Sequence, residues 1–97
     1  MTMNEELKDQ LAFELRVFNG LAPTSSIDNI TSAYNRTLGL VQSLMLINEN
    51  LDSHARAWSL LRDDAYKYLS ELQEGNKNAL DDLKHKMSQV GALLLGS

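Results

Sequence analysis

SIDNITSAYNRTLGLVQSLMLIN, residues 26–48, is the stretch from which the fold can be read. Ile27, Ile30, Tyr34, Leu38, Val41 and Met45 recur at steps of three and four, a spacing that lines them along one face of an α-helix. Ala33, Leu40, Leu44 and Ile47 widen that face to about half of the circumference. A helix so broadly apolar touches two neighbours rather than one, so the stretch implies a bundle. Ser25 or Ser26 is placed to cap its first turn. Gly39 interrupts the helix on its polar side. Glycine in mid-helix costs up to about 1 kcal/mol relative to alanine, and close approach by a partner is one reason to keep it there.

The flanking sequence supplies the neighbours. Upstream, Leu7, Leu11, Leu15 and Phe18 form one stripe of a helix at about 4–19. Thr2 and Glu5 have the spacing of a capping box, and Glu5, Glu6 and Asp9 put negative charge at the positive end of the helix dipole. Asn19-Gly20 reads as a stop with glycine in the left-handed conformation, and Pro23 confirms a loop at 21–25. Downstream of a short turn at 48–50, Leu51, Ala55, Trp58, Leu61, Ala65, Tyr68 and Leu72 mark a helix at about 51–74, capped by Asn50 or Asp52. Gly75-Asn76 breaks the chain. Leu80, Leu83, Met87, Val90 and Leu94 then mark a helix at about 78–94, capped by Asn76 or Asn78. Asp52 with Arg56, Asp63 with Lys67, and Asp82 with Lys86 are spaced to pair on solvent faces. The fold class is all-α, with residues 1–97 as one helical domain. Short connections favour an antiparallel four-helix bundle. Its rival is a helical hairpin core of the second and third helices, completed by dimerisation.

Composition narrows the function classes. Of 97 residues, 43% are hydrophobic and 23% charged, the balance of a folded globular chain. The net charge of -4 and the scatter of the nine basic residues argue against binding nucleic acid. There is no cysteine, which excludes disulfides, thiolate nucleophiles and cysteine-ligated metals. The polar, acidic start MTMNEELKDQ does not read as a signal peptide, and no apolar run approaches the roughly 18 residues that span a bilayer. The expectation is a cytoplasmic protein without a membrane segment.

No phosphate loop, nucleophile elbow or zinc motif is present. His54 falls on the apolar face of the third helix, where it reads either as a general base in a dry pocket or as a packed core residue; core packing is the expectation. Trp58 and Tyr68 likewise read as core rather than as the lining of a ligand cavity. Asp82 and His85 have Glu-x-x-His-like spacing, but they point away from the stripe and have no second copy. His85 and Asp63-Asp64 read as solvated surface. The expectation is therefore no metal, no cofactor and no catalysis.

The departures from the stripes carry the functional signal. Phe13 and Val17 project almost opposite Leu7, Leu11 and Leu15, which gives the first helix two apolar faces. Leu46, Leu60 and Leu93 are also off-stripe, and the final GALLLGS is apolar on all sides. An exposed Phe–Val pair one turn apart points to an interface. The expected interface residues are Phe13, Val17 and Leu21, with Leu93 and Leu95 as a second patch. The function they imply is a small non-catalytic helical protein-interaction module: a regulator, inhibitor, immunity factor or adaptor that docks on another protein or on a second copy as a homodimer. The alternatives are a dimeric helical DNA-binding regulator, whose basic helix would be the fourth, and a small-ligand-binding bundle.

Overall fold

The computed structural model describes residues 2–48 and 51–96. They form four helices: α1 Met3–Asn19, α2 Ile27–Ile47, α3, and α4 Ala79–Leu95. Helix α3 is continuous but not uniform. It starts as α-helix Asp52–Ser59, widens into π-helix over Leu60–Ala65, and finishes as α-helix Tyr66–Gln73.

Packing runs α1 on α2, α2 on α3, α3 on α4, and α4 back on α1. Polar ties fix the directions. Asn48 Nδ2 at the end of α2 donates to Asn4 Oδ1 at the start of α1, at 3.0 Å. Gln73 Nε2 near the end of α3 donates to Thr31 Oγ1 near the start of α2, at 3.5 Å. Lys84 Nζ on α4 donates to the carbonyls of Asn19 (3.3 Å) and Leu21 just past the end of α1, satisfying oxygens that a helix terminus leaves free. The result is an up-down-up-down bundle of 38 × 23 × 21 Å. One chain supplies all four helices, so the hairpin completed by a second copy is not the architecture.

The helix ends follow local chemistry, with corrections. Thr2 Oγ1 accepts from the Glu5 N–H at 3.2 Å and Ser26 Oγ from the Asn29 N–H at 3.1 Å, as N-caps. Gly20 ends α1 at φ -85°, in the ordinary helical region, not the left-handed one expected. Gly75 does use that region, at φ 101°. Its N–H reaches Leu72 O, and the Asn76 N–H reaches Glu71 O at 2.9 Å, the two bonds of a Schellman motif. Asn76 Oδ1 accepts from the Asn78 N–H, ahead of α4. Asn50 lies outside the described residues. Asp52 is the first residue of α3 and not its cap.

The core faces lie slightly off the expected stripes. On α2 the buried residues are Ile30, Ala33, Tyr34, Thr37, Val41 and Leu44; Ile27 is exposed, and Leu38 and Met45 are half-buried. On α1 they are Leu11, Glu14 and Phe18.

The larger correction is in α3, where His54, Ala57, Leu61, Ala65, Leu69 and Leu72 are buried while Leu51 and Ala55 are exposed. Ala57, Leu61, Ala65 and Leu69 are spaced by four. In a regular α-helix each such step drifts by about 40°, and the wide turn removes that drift. Tyr34 holds the same turn from across the seam, donating from its hydroxyl to Leu61 O at 2.8 Å. Burial pushes this phenol up to about 12, with Tyr66 and Asp63 adding to the shift.

The three expected surface pairs do not form. Among the described residues the ion pairs are Glu14–Arg36 and Arg62–Asp63. Asp63 lies in the wide turn, where its carboxylate takes Arg62 and Ser59 rather than Lys67.

Candidate docking groove

Phe13 is the feature to explain. It lies on α1 two residues past the fully buried Leu11, and the turn of the helix carries it away from the core, leaving the ring 56% exposed. Arg16, three residues on, stands over its face at 6.0 Å. Across the α1–α2 seam, the ring borders a trough of about 550 Å³ lined by Asp9, Gln10, Phe13 and Glu14 from α1 and by Arg36, Gly39, Leu40 and Ser43 from α2.

Gly39 leaves the α2 side of the trough without a side chain. A Cβ built there meets nothing within 4 Å, so the bundle itself does not need glycine at this position. Half-buried Leu40 and Ser43 continue along the same side of α2.

One end of the trough is closed by a salt bridge. Glu14 is only 7% exposed, and it accepts from Arg36 Nε through both oxygens, at 3.1 and 2.8 Å. Beyond the lining residues, Leu46 and Ile47 of α2 are exposed. Leu46 and Ile47 follow Ser43 by three and four residues, so they prolong its side of α2.

The structure separates the expected interface residues. Val17 and Leu21 are half-buried and pack against the core, so α1 has no independent second apolar face; Phe13 alone stands out in solvent. Leu93 and Leu95 are also half-buried, in two further grooves. Leu93 lies beside Arg56, Leu60, Gln89 and Ala92 between α3 and α4, in about 380 Å³. Leu95 lies between α1 and α4 beside Leu15 and Gly91, in about 240 Å³. Phe13, Leu93 and Leu95 therefore line three separate grooves, and Val17 and Leu21 line none of them, so neither expected patch is one continuous site. Sequence reading missed Glu14, Arg36 and Leu40 as groove residues. The signal for Glu14 was available: a carboxylate between Leu11 and Phe18, at steps of three and four, occupies a core position and implies a partner.

His54 is 5% exposed. Its Nδ1 meets Ser53 Oγ at 3.2 Å, and its Nε2 is buried without a hydrogen-bond partner. Burial, with Lys8 nearby, lowers its pKa, so the ring sits in the core as the neutral base. His54, Trp58 and Tyr68 line none of these three grooves. Trp58 is half-buried with Arg62 over its ring at 6.0 Å. Among the described residues no group of three or more His, Asp or Glu side chains is placed to hold a metal ion, and no helix is long and apolar enough to cross a membrane. No protein-family model matches the chain, and no curated protein or solved structure matches it.

Proposed function

We propose that the protein is a non-catalytic helical interaction module, a regulator, inhibitor, immunity factor or adaptor, that docks the α1–α2 groove on a partner protein in the cytoplasm. The observation that carries this reading is the exposed Phe13 ring beside an open apolar trough. Burying a side chain of this size contributes about 1.5–3 kcal/mol. Association costs several kcal/mol of lost freedom, so Phe13 serves as an anchor only together with Leu40, Leu46 and Ile47. Val17, Leu21, Leu93 and Leu95 support the reading less, because each already spends part of its surface on the core.

Co-purification of the tagged protein from its native host, wild type against Phe13→Glu, tests the reading. The variant keeps its circular dichroism and melting temperature, since the ring is outside the core, and loses the partner. Capture that is equal in both sinks the docking role of this groove. Sedimentation of the purified protein distinguishes a second copy from another protein as the occupant.

A further inference from the structure

We propose that the α1–α2 groove receives an amphipathic helix of another protein, apolar on the side that enters the groove and basic along its flank. This rests on the docking reading above and names the partner's chemistry.

The first observation is Gly39. It stands in mid-helix, where glycine is disfavoured, and the molecule itself offers no reason for it, since a Cβ there would meet open space. Gly91 shows the contrast: there a Cβ would lie 2.9 Å from Leu15 Cδ1, inside the bundle. The space above Gly39 is open to an object from outside the chain. Ser43, one turn further along, is also small, so Gly39 and Ser43 leave a shallow channel flanked by Phe13 and Leu40. An apolar channel between two antiparallel helices is the shape that accepts a third helix.

The second observation is charge. From Phe13 toward the start of α1, Gln10 and Asp9 line the groove, Glu6 falls three and four residues before them on the same side of the helix, and the α2 segment 39–47 (GLVQSLMLI) has no charged residue. The basic groups stand at the other end, where Arg36 is taken up by Glu14 and Arg16 covers Phe13. The open half of the groove is thus apolar with an acidic rim, which favours a basic flank on the occupant and disfavours an acidic one. The same charge argues against a second copy: the chain has net charge -4, with its nine basic residues spread along it, and it offers no basic amphipathic helix to its own groove.

The test uses the full chain and two synthetic helical peptides of about 18 residues, long enough to span a domain-sized groove. Both carry the same leucine stripe at steps of three and four; one has lysines on its flanks and the other glutamates. The expected result is that the lysine peptide shifts the amide resonances of Phe13, Gly39 and Ser43. Its affinity falls at least about tenfold as salt rises from low to several hundred millimolar, and the glutamate peptide does not bind. Gly39→Leu, which fills the channel from an open position, abolishes binding with the fold intact. Asp9→Lys weakens the lysine peptide and admits the glutamate one. Equal binding of both peptides overturns the proposal, as does binding that survives Gly39→Leu. Shifts at the same amides on concentrating the protein alone also overturn it, in favour of self-association. The docking reading fails separately: if Phe13→Glu releases the native partner while Gly39→Leu and Asp9→Lys keep it, the groove docks a protein but not a basic helix.

Discussion

Gly39 and Gly91 both stand in mid-helix, on the two seams that α1 makes with its neighbours, and they are accommodated for opposite reasons. At the α1–α4 seam, Gly91 is buried and its missing side chain is replaced by Leu15, whose Cδ1 lies where a Cβ would crowd it. At the α1–α2 seam, Gly39 is exposed and nothing fills its space. Polar chemistry ties both seams. Lys84 of α4 donates to the last carbonyl of α1, Asn19, and to Leu21 just beyond it, while the α1–α2 seam is tied at two points, by Arg36 with Glu14 and by Asn48 with Asn4. A helix pair can therefore be fastened by polar ties at two points and still leave an apolar trough between them.

The largest effect sets the scale for both seams. Leu61→Ala, at a fully buried position in the wide turn of α3, lowers stability by about 2–5 kcal/mol. Leu38→Ala, at a half-buried position, falls at or below the bottom of that range. Urea unfolding of the two variants checks the order, and equal losses would mean that α2 faces inward at Leu38 after all.

The sealed seam should resist added volume. Gly91→Val pushes an isopropyl group, whose Cβ alone already crowds Leu15, into this seam and costs about 1–3 kcal/mol. An unchanged denaturation midpoint would show that the seam yields as easily as the open one.

The open seam should respond with the opposite sign. Gly39→Ala meets no neighbour, so only helix propensity acts, and stability rises by up to about 1 kcal/mol. A loss at this position would mean that the trough is narrower than its geometry indicates, and the contrast between the glycines would collapse.

The smallest effect is a pH limb of stability. The lowered pKa of His54 means that the unfolded chain binds a proton more readily than the folded one. Its contribution is complete above the ordinary histidine value of about 6.5 and is lost as pH falls below it. Tyr34 acts at the other extreme. With its phenol raised to about 12, its contribution is complete below pH 10 and disappears as pH rises toward 12. Chemical denaturation of wild type and His54→Phe across pH 5–8 checks the acid limb. The expected result is a falling stability for wild type and a flatter profile for the variant; parallel profiles would remove His54 as the cause.

The four helices and most of their limits were legible along the chain, because they are products of local rules. Steps of three and four gave Leu11, Phe18, Ile30, Val41, Leu61, Leu83 and Leu94 as core, and Thr2, Ser26 and Gly75 punctuate the helices through bonds within a few residues. The absence of any strand among the described residues follows from the same periodicity. The groove was not legible. Spacing marks Phe13 as an outlier but groups Val17 and Leu21 with it, because it gives the angle around one helix and not the position of its neighbours. In the assembled bundle Val17 and Leu21 pack partly against the core and Phe13 stands largely in solvent. The wide turn of α3 is of the same kind. A run of four-residue steps at Ala57, Leu61, Ala65 and Leu69 fits either a drifting α-helix or a straightened one, and the core against which those residues pack, with Tyr34 bonded to Leu61, selects the second. Local backbone energetics decide that a helix forms. Which of its faces is left open depends on contacts between residues far apart in the chain, and the sequence of one helix does not contain them.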